Sequence, residues 1–166
     1  FEKKWGKELD GIPGYRIPNM FDEAIGGNYK GMYIQGEDVA QSDPNIKHVE
    51  AALKSLDILI VQDLFLNETA RFAHVFLPGT SFLEKDGTFT NGERRIQRVN
   101  KVVEPIPGCK VDGQIIVDIM NKMGYPQEDY SGPGVLAEVA GIVDGLTKLE
   151  RLQFDSREAQ QAATMR

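Results

Sequence analysis

Two textures alternate along the chain. In one, apolar residues recur at three- and four-residue spacing. In the other, they form short unbroken β-branched runs. Residues 1–17 carry Gly11, Pro13 and Gly14 among mixed charges and predict an extended arm with local turns. Asn19 is placed to cap a short helix over 20–25, closed by Gly26 and Gly27. The run over 31–35, stopped by Gly36, predicts a buried strand. The polar segment 38–43 reads as a loop. Pro44 then opens a helix on which Ile46, Val49, Ala52, Leu53 and Leu56 share one face.

Residues 58–61 form a second strand, ending in Gln62 and Asp63 and parallel to the first. Residues 68–73 predict a short helix and 75–77 a third strand, stopped by Pro78 and Gly79. Alternating strands and helices argue for an α/β fold with three layers and a mostly parallel, Rossmann-like sheet, joined by right-handed crossovers. Beyond Phe82 the texture changes: 87–92 predicts a loop and 95–99 a strand, with Pro105 and Pro107 as breaks. Asp112 precedes a helix over 113–123 whose apolar face carries Ile115, Ile116, Ile119, Met120 and Met123, closed by Gly124. A weaker amphipathic helix is expected over 135–149. This divides the chain into an arm (1–17), an α/β domain (18–152) and a polar tail (153–166).

Composition narrows the function. The chain has 166 residues, 19 basic against 25 acidic, and a net charge of −6. That balance argues against a nucleic-acid binder, which would carry a basic face. No apolar run reaches the length of a membrane span. The single cysteine, Cys109, excludes an internal disulfide, and excludes a zinc or iron–sulfur site held by this chain alone. The chain begins at Phe1 with no signal-peptide pattern, so a piece of something larger is expected, with a cytoplasmic location favoured.

Candidate chemistry gathers at the strand ends. In an open parallel sheet, ligands bind outside the carboxy ends of the strands. Gly36 there would let a ligand approach the backbone, and Asp38 or Asp63 could accept from a ribose diol. The alternative is that Asp38, Ser42 and Asp63 merely cap helices. There is no phosphate-binding loop with its lysine, no Gly-x-Gly-x-x-Gly after the first strand and no Gly-x-Ser-x-Gly. His48 and His74 share no ligand spacing and read as surface or locally bonded groups. Cys109 lies in a turn. Arg94, Arg95, Arg98 and Lys101 read as a solvated strand face, with an anion or partner contact as the alternative. Glu84, Lys85 and Asp86 read as an exposed turn.

Several ordered motifs then carry a resemblance: GMYIQGED at 31–38, SDP at 42–44, IVQD at 60–63, NETA at 67–70, VFLP at 75–78 and EKDGTFTNGERRIQ at 84–97. Over residues 19–126 the chain resembles formate dehydrogenase alpha subunits, in the dimethyl sulfoxide reductase family of molybdenum and tungsten enzymes. The resemblance implies part of a catalytic subunit that grips one of two molybdopterin (or tungstopterin) guanine dinucleotides. It implies cofactor contacts at Asp38, Ser42, Val61, Gln62, Asp63 and Asp112, beside Gly36, with Asp112 the candidate for guanine. It also implies that the parent reaction is formate oxidation to carbon dioxide. An iron–sulfur cluster would be held elsewhere in the parent. The partners implied are the remaining domains of the same subunit and electron-transfer subunits.

Other oxidoreductases of the family, such as nitrate reductase, are the nearest alternative. A cofactor-free structural domain, as in the large iron–sulfur subunit of NADH–quinone oxidoreductase, is another. The chain departs from the family at Val39, where proline is common, and at His74, where an acidic residue is common. It also lacks the motif for the metal-ligating cysteine or selenocysteine, so the isolated chain is expected to be inactive.

Overall fold

The computed structural model describes residue 2, residues 6–132 and residues 134 and 135. Almost all of the helix expected over 135–149, and all of the polar tail, lie outside the described residues. Residues 7–16 form no helix or strand and are exposed.

Helix α1 spans Ile17–Ile25. It starts earlier than the pattern suggests because Pro18 falls in its first turn, where a missing N–H costs nothing. Asn19 is therefore inside the helix and is not its cap; Arg16 holds that position without a side-chain bond. Gly27, at φ 78°, takes the left-handed conformation that ends the helix. Strand β1 (Gly31–Gln35) buries only Met32 and Ile34, so it is buried on one face, not both.

The segment read as a polar loop contains a one-turn helix, α2 (Val39–Ser42), with Val39 and Ala40 buried. Two small apolar residues are too few to register as a periodic pattern. Helix α3 (Ile46–Ser55) is capped by Asn45, whose side chain accepts from His48 N, so Pro44 stands just ahead of the cap. Strand β2 spans Ile58–Asp63, a 3-10 turn follows over Thr69–Phe72, and β3 spans Val75–Pro78. The strand order is β1-β2-β3, and the sheet is parallel. The register shows it: His74 N donates to Leu59 O, and Gly79 N to Asp63 O, so both strands advance together.

The chain forms two compact units. The first holds residues 1–61 and 66–76, the second residues 62–65 and everything from Leu77 onward. In the first unit, Phe21, Ala24, Met32, Ile34, Val49, Ala52, Leu53, Leu59 and Val61 build the core. Helix α1 packs on α3, and His48 Nε2 meets Asp22 Oδ1 at 3.0 Å where they face each other.

In the second unit a 3-10 turn (Phe82–Glu84) leads into strand β4 (Gly87–Thr90). Strand β4 pairs antiparallel with β5 (Ile96–Val99), Gly87 opposite Val99 and Thr90 opposite Ile96. The stretch expected to be a loop is thus half of a hairpin. Its tip is pinned by the Asn91 side chain, which accepts from Glu93 N and Arg95 N, and Arg94 adopts a left-handed φ of 64°. Helix α4 spans Asp112–Lys122, buries Ile115 and ends at Gly124, which has φ 84°.

Candidate functional site

Strand β2 runs out at Gln62, a residue with 0% exposure. A buried amide must find partners or forfeit its hydration. Gln62 Nε2 donates to Asp112 Oδ1 at 2.9 Å, across 50 residues of sequence. Asp112 opens α4, where a negative charge suits the helix N-terminus. Its other oxygen, Oδ2, accepts from Lys85 Nζ at 2.5 Å. Burial pushes the Asp112 carboxyl up, but the hydrogen bonds from Lys85 and Gln62 and the Lys85 charge outweigh it. The group sits below its ordinary value of 3.8 and is ionised at neutral pH.

Asp63 lies beside this group. Its Oδ1 accepts from Leu64 N at 2.6 Å, and its backbone O accepts from Gly79 N at 2.9 Å. Gly79 is buried, and a Cβ there would stand 2.8 Å from Asp112 Oδ1. Next to it, the Thr80 hydroxyl is buried with no hydrogen-bond partner among the described residues.

The first unit holds the other expected residues, and it engages them differently. Gly36 has φ 64° and open space around it. Asp38 is occupied. Its Oδ1 accepts from Thr69 N at 3.0 Å and Thr69 Oγ1 at 2.6 Å, and Oδ2 accepts from Glu68 N at 3.4 Å. Thr69 is fully buried and its hydroxyl also accepts from Ala40 N at 3.0 Å. Asp38 thus clamps the Thr69 turn to the start of α2. Ser42 Oγ donates to Glu37 Oε1 at 2.9 Å on the surface, and the Val61 side chain lies in the core. Gln62 and Asp112 are brought together; Asp38 and Ser42 belong to separate networks.

Glu84, Lys85 and Asp86 are no simple exposed turn, because each makes a defined bond. Glu84 Oε2 accepts from Ser81 N and Oγ in a reciprocal cap, and these bonds hold its carboxyl below the usual range. Lys85 pairs with Asp112, and Asp86 Oδ1 accepts from Lys101 N at 2.9 Å. Sequence reasoning missed Lys85 and Thr69. Their partners lie 27 and 31 residues away, beyond any local pattern.

His74 Nδ1 accepts from Leu59 N at 2.9 Å, a local bond of the kind expected. Cys109 is a free thiol in a turn closed by its own N–H to Ile106 O at 2.9 Å. Among the described residues, no group of three His, Cys, Asp or Glu side chains is arranged to hold a metal, and no helix is long and apolar enough to cross a membrane.

The chain is thus an α/β protein with a parallel sheet, whose middle strand ends in a buried amide that donates to a carboxylate, which in turn accepts from a lysine. Residues 4–122 match the molybdopterin oxidoreductase family model, and the chain belongs to that family. It is 51% identical over 125 residues to the F420-dependent formate dehydrogenase subunit alpha of Methanocaldococcus jannaschii, covering 75% of this chain and 18% of that protein. It is 43% identical over 143 residues to the putative formate dehydrogenase YrhE of Bacillus subtilis, covering 86% of this chain and 14% of that one. The resemblance read from the motifs is therefore borne out. Acetylene hydratase from Pelobacter acetylenicus shares the fold, with a TM-score of 0.59 at 22% identity over 64% of this chain and 15% of that one. The chain spans less than a fifth of the length of these relatives.

Proposed function

We propose that this chain is part of the catalytic subunit of a formate dehydrogenase and binds the guanosine end of a molybdopterin or tungstopterin guanine dinucleotide. The observation that carries the reading is the Gln62–Asp112–Lys85 group at the end of β2. A buried amide and a lysine hold one carboxylate ionised and fixed. Such a carboxylate is the natural acceptor for the adjacent N1 and N2 hydrogens of guanine.

The residues present fit the group. A Cβ on Gly79 would crowd Asp112 Oδ1 at 2.8 Å, and beside it the Thr80 hydroxyl is buried without a partner among the described residues. In the second unit, Gln62, Asp63 and Asp112 are assigned to hold the nucleotide. Asp38, Ser42 and Val61 contribute through the loop and core they stabilise, and Gly36 leaves its backbone open. When bound, the pterin-held metal supplies the two-electron chemistry, and the protein supplies binding and orientation. The names of the curated relatives support formate as the parent substrate. The remaining domains of the subunit, an iron–sulfur cluster outside this chain and electron-transfer subunits complete the reading.

The test uses the intact catalytic subunit. Removing one partner of a charged hydrogen bond costs about 1.5–3 kcal/mol. Asp112→Ala and Asp63→Ala should therefore lower cofactor content, read as GMP released on acid hydrolysis together with bound metal. Full cofactor content in both variants would overturn the proposal.

A further inference from the structure

The β4–β5 hairpin pairs with no other strand among the described residues. A two-stranded ribbon is marginal in water unless a face of it is packed. Its register puts Phe89 with Gln97 and Gly87 with Val99 on one face, and Thr88 with Arg98 and Thr90 with Ile96 on the other. Gly87, Phe89 and Val99 line a cavity of the second unit together with Val111 and Tyr130, so the first face is turned toward the body of that unit. The four residues of the second face are all exposed, Ile96 at 59%.

The hairpin is also basic. Residues 87–101 carry Arg94, Arg95, Arg98 and Lys101 against one acidic residue, Glu93, in a chain whose net charge is −6. Lys101 is paired with Glu104 at 2.8 Å. Arg95 Nε faces Glu93 Oε2 at 3.5 Å with both side chains largely exposed, a contact that contributes little. The Arg94 and Arg98 side chains make no hydrogen bond or ion pair among the described residues. Arg94 also holds a φ of 64°, which disfavours a side chain. The turn that keeps it there is tied by Arg94 N to Asn91 O and by Asn91 N to Arg95 O, both at 3.0 Å. Unpaired guanidinium groups thus flank an exposed isoleucine, and their mutual repulsion weakens the bare ribbon. Arginine beside an apolar residue is the composition of an interface centre.

We propose that the outward face of this hairpin docks on a carboxylate-rich surface of the remaining part of the same catalytic subunit, with Arg94 and Arg98 pairing to carboxylates and Ile96 as the apolar anchor between them. The inference rests on the reading of the chain as a piece of that subunit, and the chain spans less than a fifth of its curated relatives. Charge complementarity sets the chemistry of the partner: the planar guanidinium fork matches the two oxygens of a carboxylate. The marginal stability of a bare ribbon sets its permanence. A cover in the same polypeptide is present at high effective concentration, whereas a separate subunit is not.

Arginine labelling with phenylglyoxal, read residue by residue by peptide mass spectrometry, compares the 166-residue chain with the intact catalytic subunit. Arg94 and Arg98 should label freely in the chain and about tenfold more slowly in the subunit. Arg98→Glu should lower the melting temperature of the subunit and leave the urea midpoint of the 166-residue chain unchanged, because the residue is exposed there. Salt at about 1 M should shrink the loss in the subunit. Equal labelling in both proteins would overturn the interface, and so would slow labelling already in the 166-residue chain. Protection that disappears when the pterin cofactor is stripped would make the partner the cofactor's phosphates and overturn it too. Protection that needs an electron-transfer subunit would do the same. A subunit that retains GMP and metal while both arginines label freely would defeat the interface alone, so it and the cofactor reading fail separately.

Discussion

Gly79 lies so near Asp112 that a Cβ on it would stand 2.8 Å from Oδ1, the oxygen that accepts from Gln62. The backbone just after β3 thus stands against a carboxylate 33 residues further on. Gly79→Ala should push Asp112 off one of its two partners at an overpacking cost of about 1–3 kcal/mol. A lowered urea midpoint, with the Gln62 side-chain amide resonances moved, would bear this out. An unchanged Gln62 environment would show that the carboxylate yields freely.

Asp112 also gives the fold a defined response to acid. Its folded pKa lies below the ordinary 3.8, so the unfolded chain takes up the proton first as pH falls. Its contribution to stability is complete above that value and is lost as pH drops through the folded pKa. Asp112→Asn should be less stable than the parent at neutral pH, and its stability should decline less steeply below about pH 4. Urea midpoints across that range decide it; parallel curves would contradict the linkage.

Thr69 links the end of β1 to the segment after β2. Its hydroxyl donates to Asp38 Oδ1 and accepts from Ala40 N. Thr69→Val keeps the shape but strands the buried Ala40 N–H and removes one of the two bonds to Asp38 Oδ1. The expected loss is about 2–3 kcal/mol, with faster hydrogen exchange at Ala40. A loss under a few tenths of a kcal/mol would mean that the clamp does not hold the loop.

Thr80 is the converse case. Its buried hydroxyl has no partner among the described residues, so it carries a desolvation cost without a bond. Thr80→Val should leave the chain as stable or raise its stability by about 1 kcal/mol. In the intact subunit the same change should lower cofactor retention if the hydroxyl turns to the nucleotide. A clear destabilisation of the free chain would show that the hydroxyl is bonded after all.

The sequence made the regular elements legible where burial is periodic. Val49, Ala52 and Leu53 mark the buried face of α3, and the β-branched run of β2 marks the central strand. It did not disclose α2, whose buried face is only Val39 and Ala40, or β4, where Thr88, Phe89 and Thr90 are all exposed and no alternation survives. The site was half legible. Gln62 and Asp112 could be named from motifs, but Lys85 could not, because its neighbours in sequence suggest only a charged turn. Asp38 shows the opposite limit: its residue type suits a ribose, while its geometry commits it to Thr69.

The division into two units has a practical consequence. The backbone passes between them after Val61, after Phe65 and after Phe76, and two of these passages fall inside β2 and β3. A single protease cut, or a simple truncation at either end, therefore cannot release either unit whole. Gene fragments designed to isolate the Gln62–Asp112 half would have to splice residues 62–65 onto a start at Leu77. A circular permutant opened in the exposed residues 64–66 would sever one of these three passages and leave the other two intact.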